Sequence, residues 1–264
     1  MTMTLRTFYA AFLVVWLFAT GTAHAGSQAD GQIQFEPAKI AVLAKKIERE
    51  IARRGALIAI ISRTGRPPGD LPEGIEYTHV AFAVYSQITT SHGRKLPGYA
   101  TYNLYQSSTK PNTSFLKQDY LLDYYAAVYA LKAGVIIPTP KLQQKLLGVI
   151  FSDTYAALHN PDYSAISNPF NVELQNCTEF VLDVVNAAIY DTGDPRRIKA
   201  NIKAYFEPEP LRVSGFELFL GSLFTADIRL SDHSGPVRTA TFGSIARYME
   251  AQGLATELFR VSVE

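Results

Sequence analysis

The chain has a single cysteine, Cys177. It follows an asparagine- and proline-rich run, Asn168-Pro-Phe-Asn-Val-Glu-Leu-Gln-Asn176, and opens a segment of helical period. Cys177, Val181, Val184 and Ala188 recur on one side with Phe180, Val185 and Ile189 beside them, while Glu179, Asp183 and Asn186 fall opposite, the pattern of a half-buried helix. Asn176 suits the N-cap, because its side-chain carbonyl can accept from an otherwise unpaired amide one turn on. Cys177 then lies in the first turn, where free amides and the positive end of the helix dipole favour an anion and draw a thiol pKa below its usual value of about 8.5. The chemistry open to such a thiol is nucleophilic attack on a carbonyl. The plainer alternative is a small core residue on an apolar face.

A thiol nucleophile needs a base to take its proton and a third group to hold that base in one tautomer. The histidines beyond the N-terminal segment are His79, His92, His159 and His233. His92 falls in a Ser/Thr/Gly turn and His159 precedes Asn-Pro, so both read as solvated loop residues. Asp232-His233 reads equally as a site pair or as a turn. His79 stands on the strand expected over 77–85, where His79, Ala81, Ala83 and Tyr85 share a face left open by two alanines. A second strand over 98–105 pairs with it as a meander and carries Asn103, a residue disfavoured in strands.

Other elements must hold these groups. Pro37 opens an amphipathic helix, with Ile40, Leu43, Ile47 and Ile51 at helical spacing and Gly55 as its stop. The run 57–62 is short, apolar and rich in β-branched residues, the mark of a central strand. A long aromatic helix capped by Thr113 or Ser114 is expected through Tyr120, Leu121, Tyr124, Tyr125, Val128 and Leu131, ending at Gly134. Further helices are expected from Thr139-Pro140, from Asp194-Pro195 to about Phe206, and from Thr241 to Gly253. Strands are expected over 226–230 and 258–263.

Residues 1–25 have the form of a secretory signal: one charge at Arg6, an apolar stretch over 8–19, and the small-x-small site Ala23-His24-Ala25. The expectation is export to the periplasm or beyond, with residues 26–264 as a single domain and no transmembrane span after signal removal. Twenty-five basic and 24 acidic residues nearly cancel, so a nucleic-acid partner is not expected. One cysteine excludes an internal disulfide framework and a cysteine-rich zinc site. No His/Asp/Glu grouping has a recognisable metal-ligand spacing, and no cofactor is expected.

Two short motifs carry a resemblance. Asn176-Cys-Thr-Glu-Phe-Val181 resembles the Asn-Cys-x-x-Phe-Val nucleophile motif of the circularly permuted NlpC-type, papain-like proteins, the group that includes lecithin:retinol acyltransferase. Tyr77-Thr-His-Val-Ala-Phe82 is similar to the histidine strand of that group, which precedes the cysteine helix. The run from Ile58-Ala-Ile-Ile-Ser-Arg-Thr-Gly-Arg66 through these two motifs resembles bacterial exported proteins of domain-of-unknown-function family 2145, placed near that clan. The resemblance implies an α+β fold with a permuted papain-like core, an antiparallel sheet packed on helices and the nucleophile at a helix N-terminus. It implies Cys177 as nucleophile, His79 as base and Asn103 as orienting residue, where many relatives carry histidine in the third position. The chemistry implied is acyl transfer through a thioester, with a thiolate–imidazolium pair and the Cys177 N–H as oxyanion donor. The expected activity is that of an exported thiol hydrolase, an amidase or endopeptidase, acting on cell-wall peptides or another envelope substrate. The alternatives are a lipid acyl substrate, lined by the aromatic helix 120–131 and the run 216–220, or a non-catalytic binding module of the envelope.

Overall fold

The computed structural model describes residues 28, 31–89, 92–211 and 227–264. The segment read as a signal and the apolar run 216–220 lie outside the described residues. The architecture is α+β: a six-stranded antiparallel sheet with helices on both faces.

The sheet runs in the order β4-β3-β2-β1-β5-β8. In chain order the strands are β1 (Ile58–Arg63), β2 (His79–Thr89), β3 (Lys95–Gln106), β4 (Ser114–Tyr120), β5 (Lys132–Pro138) and β8 (Ala255–Ser262). A separate two-stranded ribbon joins β6 (Glu209–Pro210) to β7 (Arg238–Thr239). The apolar run of β1 is buried at every position, as a central strand requires. β2 and β3 form the expected meander, with Phe82 opposite Tyr102 and Val84 opposite Ala100.

Pleat alternation sorts the core into two clusters. Val80, Phe82, Val84 and Leu104 face the helices α3 (Pro140–Ile150), α5 (Cys177–Tyr190), α6 (Pro195–Tyr205) and α7 (Phe242–Ala251). Ala59, Ile61, Ala81 and Ala83 face α1 (Pro37–Arg53) and the one-turn helix α2 (Leu121–Tyr124). A further short helix, α4 (Asp153–Ala157), follows α3. Local chemistry sets the helix ends. Gly55 takes φ +62° just past α1, Thr139 accepts from Leu142 N–H at the start of α3, and Thr241 and Ser244 form a reciprocal capping box on α7.

Two expectations are corrected. The long helix through 120–131 is absent: Ser114–Tyr120 is strand β4 at the sheet edge, Leu121–Tyr124 makes one turn, and the chain re-enters the sheet at Lys132. The aromatic spacing reflected burial. Leu121, Tyr124, Tyr125 and Val128 all enter the α1-side core, and the two tyrosine hydroxyls donate to strand carbonyls, Tyr124 to His79 O at 2.9 Å and Tyr125 to Ser62 O at 3.2 Å. The described part of the strand expected over 226–230, residues 227–230, is irregular and is tied down by Ala165 N–H to Asp227 O and by Ser164 with Arg229.

Gly134, read as a helix stop, is inside β5. A Cβ there would lie 2.4 Å from the Phe242 ring and 2.9 Å from Ser62 Oγ. Gly134→Ala is expected to cost about 1–3 kcal/mol through overpacking, read as a lower urea midpoint. An unchanged midpoint would mean that Phe242 moves aside without cost.

Candidate active site

Asn176 and Cys177 occupy the positions their types suggest. Asn176 is the N-cap of α5, its Oδ1 accepting from Thr178 N–H at 3.0 Å and Glu179 N–H at 2.9 Å. Its Nδ2 donates to Ala165 O and Thr239 Oγ1, which ties the incoming loop to β7. The cap does not use the N–H of Cys177.

The Cys177 sulfur rests against the main chain on either side of His79. Sγ lies 3.7 Å from Thr78 O and 3.8 Å from Thr178 Oγ1, and the N–H groups of Val80 and Thr178 also reach it. The residue is only 2 % exposed, but it lines a cavity of about 240 Å³ together with Asn176, Thr178, Tyr77, Thr78 and the loop residues Ala165 and Ile166.

His79 is fully buried between two rings, stacked on Tyr105 at 5.0 Å and Tyr124 at 5.2 Å between centroids. Its Nε2 meets Asn103 Oδ1 at 2.9 Å. The amide of Asn103 is itself oriented, because its Nδ2 donates to Lys117 O at 3.1 Å and Asp119 Oδ1 at 3.4 Å. Asp119 also accepts from the hydroxyls of Thr101 and Tyr105. With the amide NH₂ committed to acceptors, Oδ1 must face the imidazole and Nε2 must carry the proton. Nδ1 is then the basic nitrogen, and it has no hydrogen-bond partner.

Thus His79 and Asn103, the two residues that the resemblance pairs, are in hydrogen-bond contact. Cys177 reaches the same stretch of β2, but no hydrogen bond joins its sulfur to the imidazole. By parity His79 belongs with Ala81 and Ala83, on the side of α1, whereas Cys177 packs with Val80 and Phe82 on the side of α5. The electrostatics also differ from the expected ion pair. Burial pushes the Cys177 thiol above its ordinary pKa, outweighing the donors of Val80 and Thr178 and the charge of Arg63. Burial, and then Arg63, hold His79 well below the usual imidazole value, outweighing the bond to Asn103. The helix dipole favours an acidic thiol, but desolvation is the larger effect here, and at rest the thiol and the imidazole are both neutral.

Several participants were not visible in the sequence. Arg63 is wholly buried on the His79 side, donating to Tyr124 O and Gln28 O and standing over the Tyr105 and Tyr124 rings. Glu179 and Asp183, expected on the solvent side of the helix, are buried and share Lys199 of α6. The Nζ lies 2.6 Å from Glu179 Oε1 and 2.7 Å from Asp183 Oδ1. Ser167 Oγ closes the cluster on Glu179 Oε2, tying the loop before Cys177 to the helix it enters. The signal for this was an acid pair at i and i+4 in an otherwise apolar helix, followed by a basic helix. His159, read as solvated, is half-buried and meets Ser114 Oγ at 2.9 Å. The Asp232-His233 pair braces the same loop: Asp232 accepts from Asn168 and Asn171, and His233 Nε2 meets Ile166 O at 2.8 Å.

A family model described as an uncharacterized protein conserved in bacteria (DUF2145) matches residues 50–249, a span that holds Cys177, His79 and Asn103. No curated protein matches the chain, and no solved structure matches it.

Proposed function

The chain belongs to this uncharacterized bacterial family, and we propose that within it Cys177 is the nucleophile of a thiol hydrolase with a permuted papain-like core, working by acyl transfer on a cell-envelope substrate. The observation that carries this reading is the unfilled lone pair of His79. The chain from Asp119 through Asn103 fixes the proton on Nε2, and leaves Nδ1 as a base without a donor on the strand against which the thiol of Cys177 rests.

In this mechanism the neutral pair reacts by general base catalysis, in place of a preformed thiolate. The imidazole and the sulfur start on opposite sides of β2 without a hydrogen bond, so the step requires Nδ1 and Sγ to come within reach of each other. The S–H proton then passes to Nδ1 as the sulfur attacks the carbonyl carbon, and Asn103 Oδ1 accepts from the Nε2–H of the imidazolium that forms. The Cys177 N–H, free of the Asn176 cap, donates to the developing oxyanion at the positive end of α5. Collapse breaks the bond to the leaving group, which takes the proton from His79. Water then cleaves the thioester by the same sequence and restores the thiol. Arg63 favours the thiolate over the thiol and the neutral imidazole over the imidazolium, so it speeds the departure of the proton from His79 to the leaving group.

The periplasm remains the proposed location, from the signal-like residues 1–25. Among the described residues no helix is long and apolar enough to cross a membrane. The test is turnover of 4-nitrophenyl butanoate by the purified protein. Wild type is expected to release nitrophenolate through many cycles and Cys177→Ala none; turnover that survives in Cys177→Ala contradicts the assignment.

A further inference from the structure

We propose that one buried water molecule bridges Arg63 and His79, accepting from the Nε–H of the guanidinium and donating to Nδ1 of the imidazole. Arg63 and His79 stand directly opposite each other in the β1–β2 register, so their side chains leave the same face of the sheet with Cβ atoms about 5 Å apart. Both are fully buried, and the same two rings enclose them. The imidazole lies 5.0 Å from the Tyr105 centroid and 5.2 Å from that of Tyr124, and the guanidinium carbon lies 5.7 Å and 5.2 Å from the same two. Each side chain has committed its other polar atoms. Arg63 donates from its terminal nitrogens to Tyr124 O and Gln28 O, and His79 Nε2 is bonded to Asn103 Oδ1. What remains is one donor, Arg63 Nε–H, and one acceptor, His79 Nδ1, neither with a partner in the protein.

The two would satisfy each other if they touched; they are cross-strand neighbours, yet no bond joins them. A bridging group must therefore accept at one end and donate at the other. An anion such as chloride meets only the guanidinium and a cation meets only the imidazole, whereas water meets both. Two unmet polar groups in a medium that cannot solvate them cost more than holding one water molecule still. Arg63 is thereby a positioning residue: through the water it fixes the imidazole that Asn103 holds by the other nitrogen. In the reaction proposed above, Nδ1 exchanges this water for the thiol proton.

A crystal structure of the purified protein tests this directly. The expected result is a water at about 2.7–3.2 Å from both Arg63 Nε and His79 Nδ1, with no anomalous signal there after a bromide soak. A direct bond between the two nitrogens, no density between them, or bromide at that place overturns the proposal. The second arm is nitrogen NMR of the histidines. Arg63→Met is expected to shift the His79 Nδ1 resonance towards that of an imidazole nitrogen with a free lone pair, the proton staying on Nε2, and an unmoved resonance also overturns it. Where Arg63→Met does not fold, the wild-type crystal decides alone. Neither arm reads turnover. The water found in a protein whose turnover survives Cys177→Ala removes the thiol-hydrolase reading alone, and no water in a protein whose turnover needs Cys177 removes this proposal alone.

Discussion

Replacing Lys199 by Met is expected to be among the most destabilising single changes in the protein, at about 3–5 kcal/mol. Lys199 is 6 % exposed and is held by Glu179 and Asp183, both buried on α5. Removing one partner of a buried ion cluster strands the others in a medium that cannot solvate them, at a cost of that order. Against the 5–15 kcal/mol that holds a typical domain folded, this is a large fraction. The pH dependence identifies the cause. Burial raises Glu179 from 4.5 to about 8 and raises Asp183 as well, so the folded state holds protons that the unfolded chain releases. Stability from these groups is complete below 4.5 and declines as the pH rises towards about 8. Without Lys199 the two carboxyls need their protons more, so the loss in Lys199→Met is expected to be larger at pH 8 than at pH 5 in urea unfolding. A loss below about 1 kcal/mol at pH 8 would show that water reaches the cluster.

His79→Phe is expected to lower turnover of an acyl ester by about 10²–10⁴, the usual share of general base catalysis. Phenylalanine keeps a ring between Tyr105 and Tyr124, so the packing survives. The stability cost is the unpaired Oδ1 of Asn103, about 1–3 kcal/mol, small enough to leave a folded protein. Turnover within threefold of wild type would remove His79 from the chemistry and leave its bond to Asn103 as a brace of the sheet.

The parts of this site that the sequence disclosed are those with local signatures. Asn176 before Cys177 at the head of an apolar stripe is a cap signal, and the alternation around His79 and Asn103 places both on adjacent strands. What stayed hidden depends on long-range contacts. Asp119, which orients Asn103 from β4, lay within a run whose aromatic spacing imitates a helix, and only pairing with β3 makes it a strand. Glu179 and Asp183 imitate a solvated face because their counterion is 20 and 16 residues away. Arg63 ends a β-branched strand, where a cation is expected in solvent, yet the Tyr105 and Tyr124 rings and two carbonyls enclose it. The acidity of the thiol was misjudged for a related reason: position at a helix start is a local property, and burial, which here outweighs it, is not.

The central claim is that the thiol of Cys177 gives its proton to His79, and the rate of iodoacetamide alkylation of Cys177 against pH tests it most directly. Wild type is expected to react at pH 7 at least tenfold faster than His79→Phe, with both rates climbing into the alkaline range because burial raises the thiol. Identical profiles in the two proteins would contradict it.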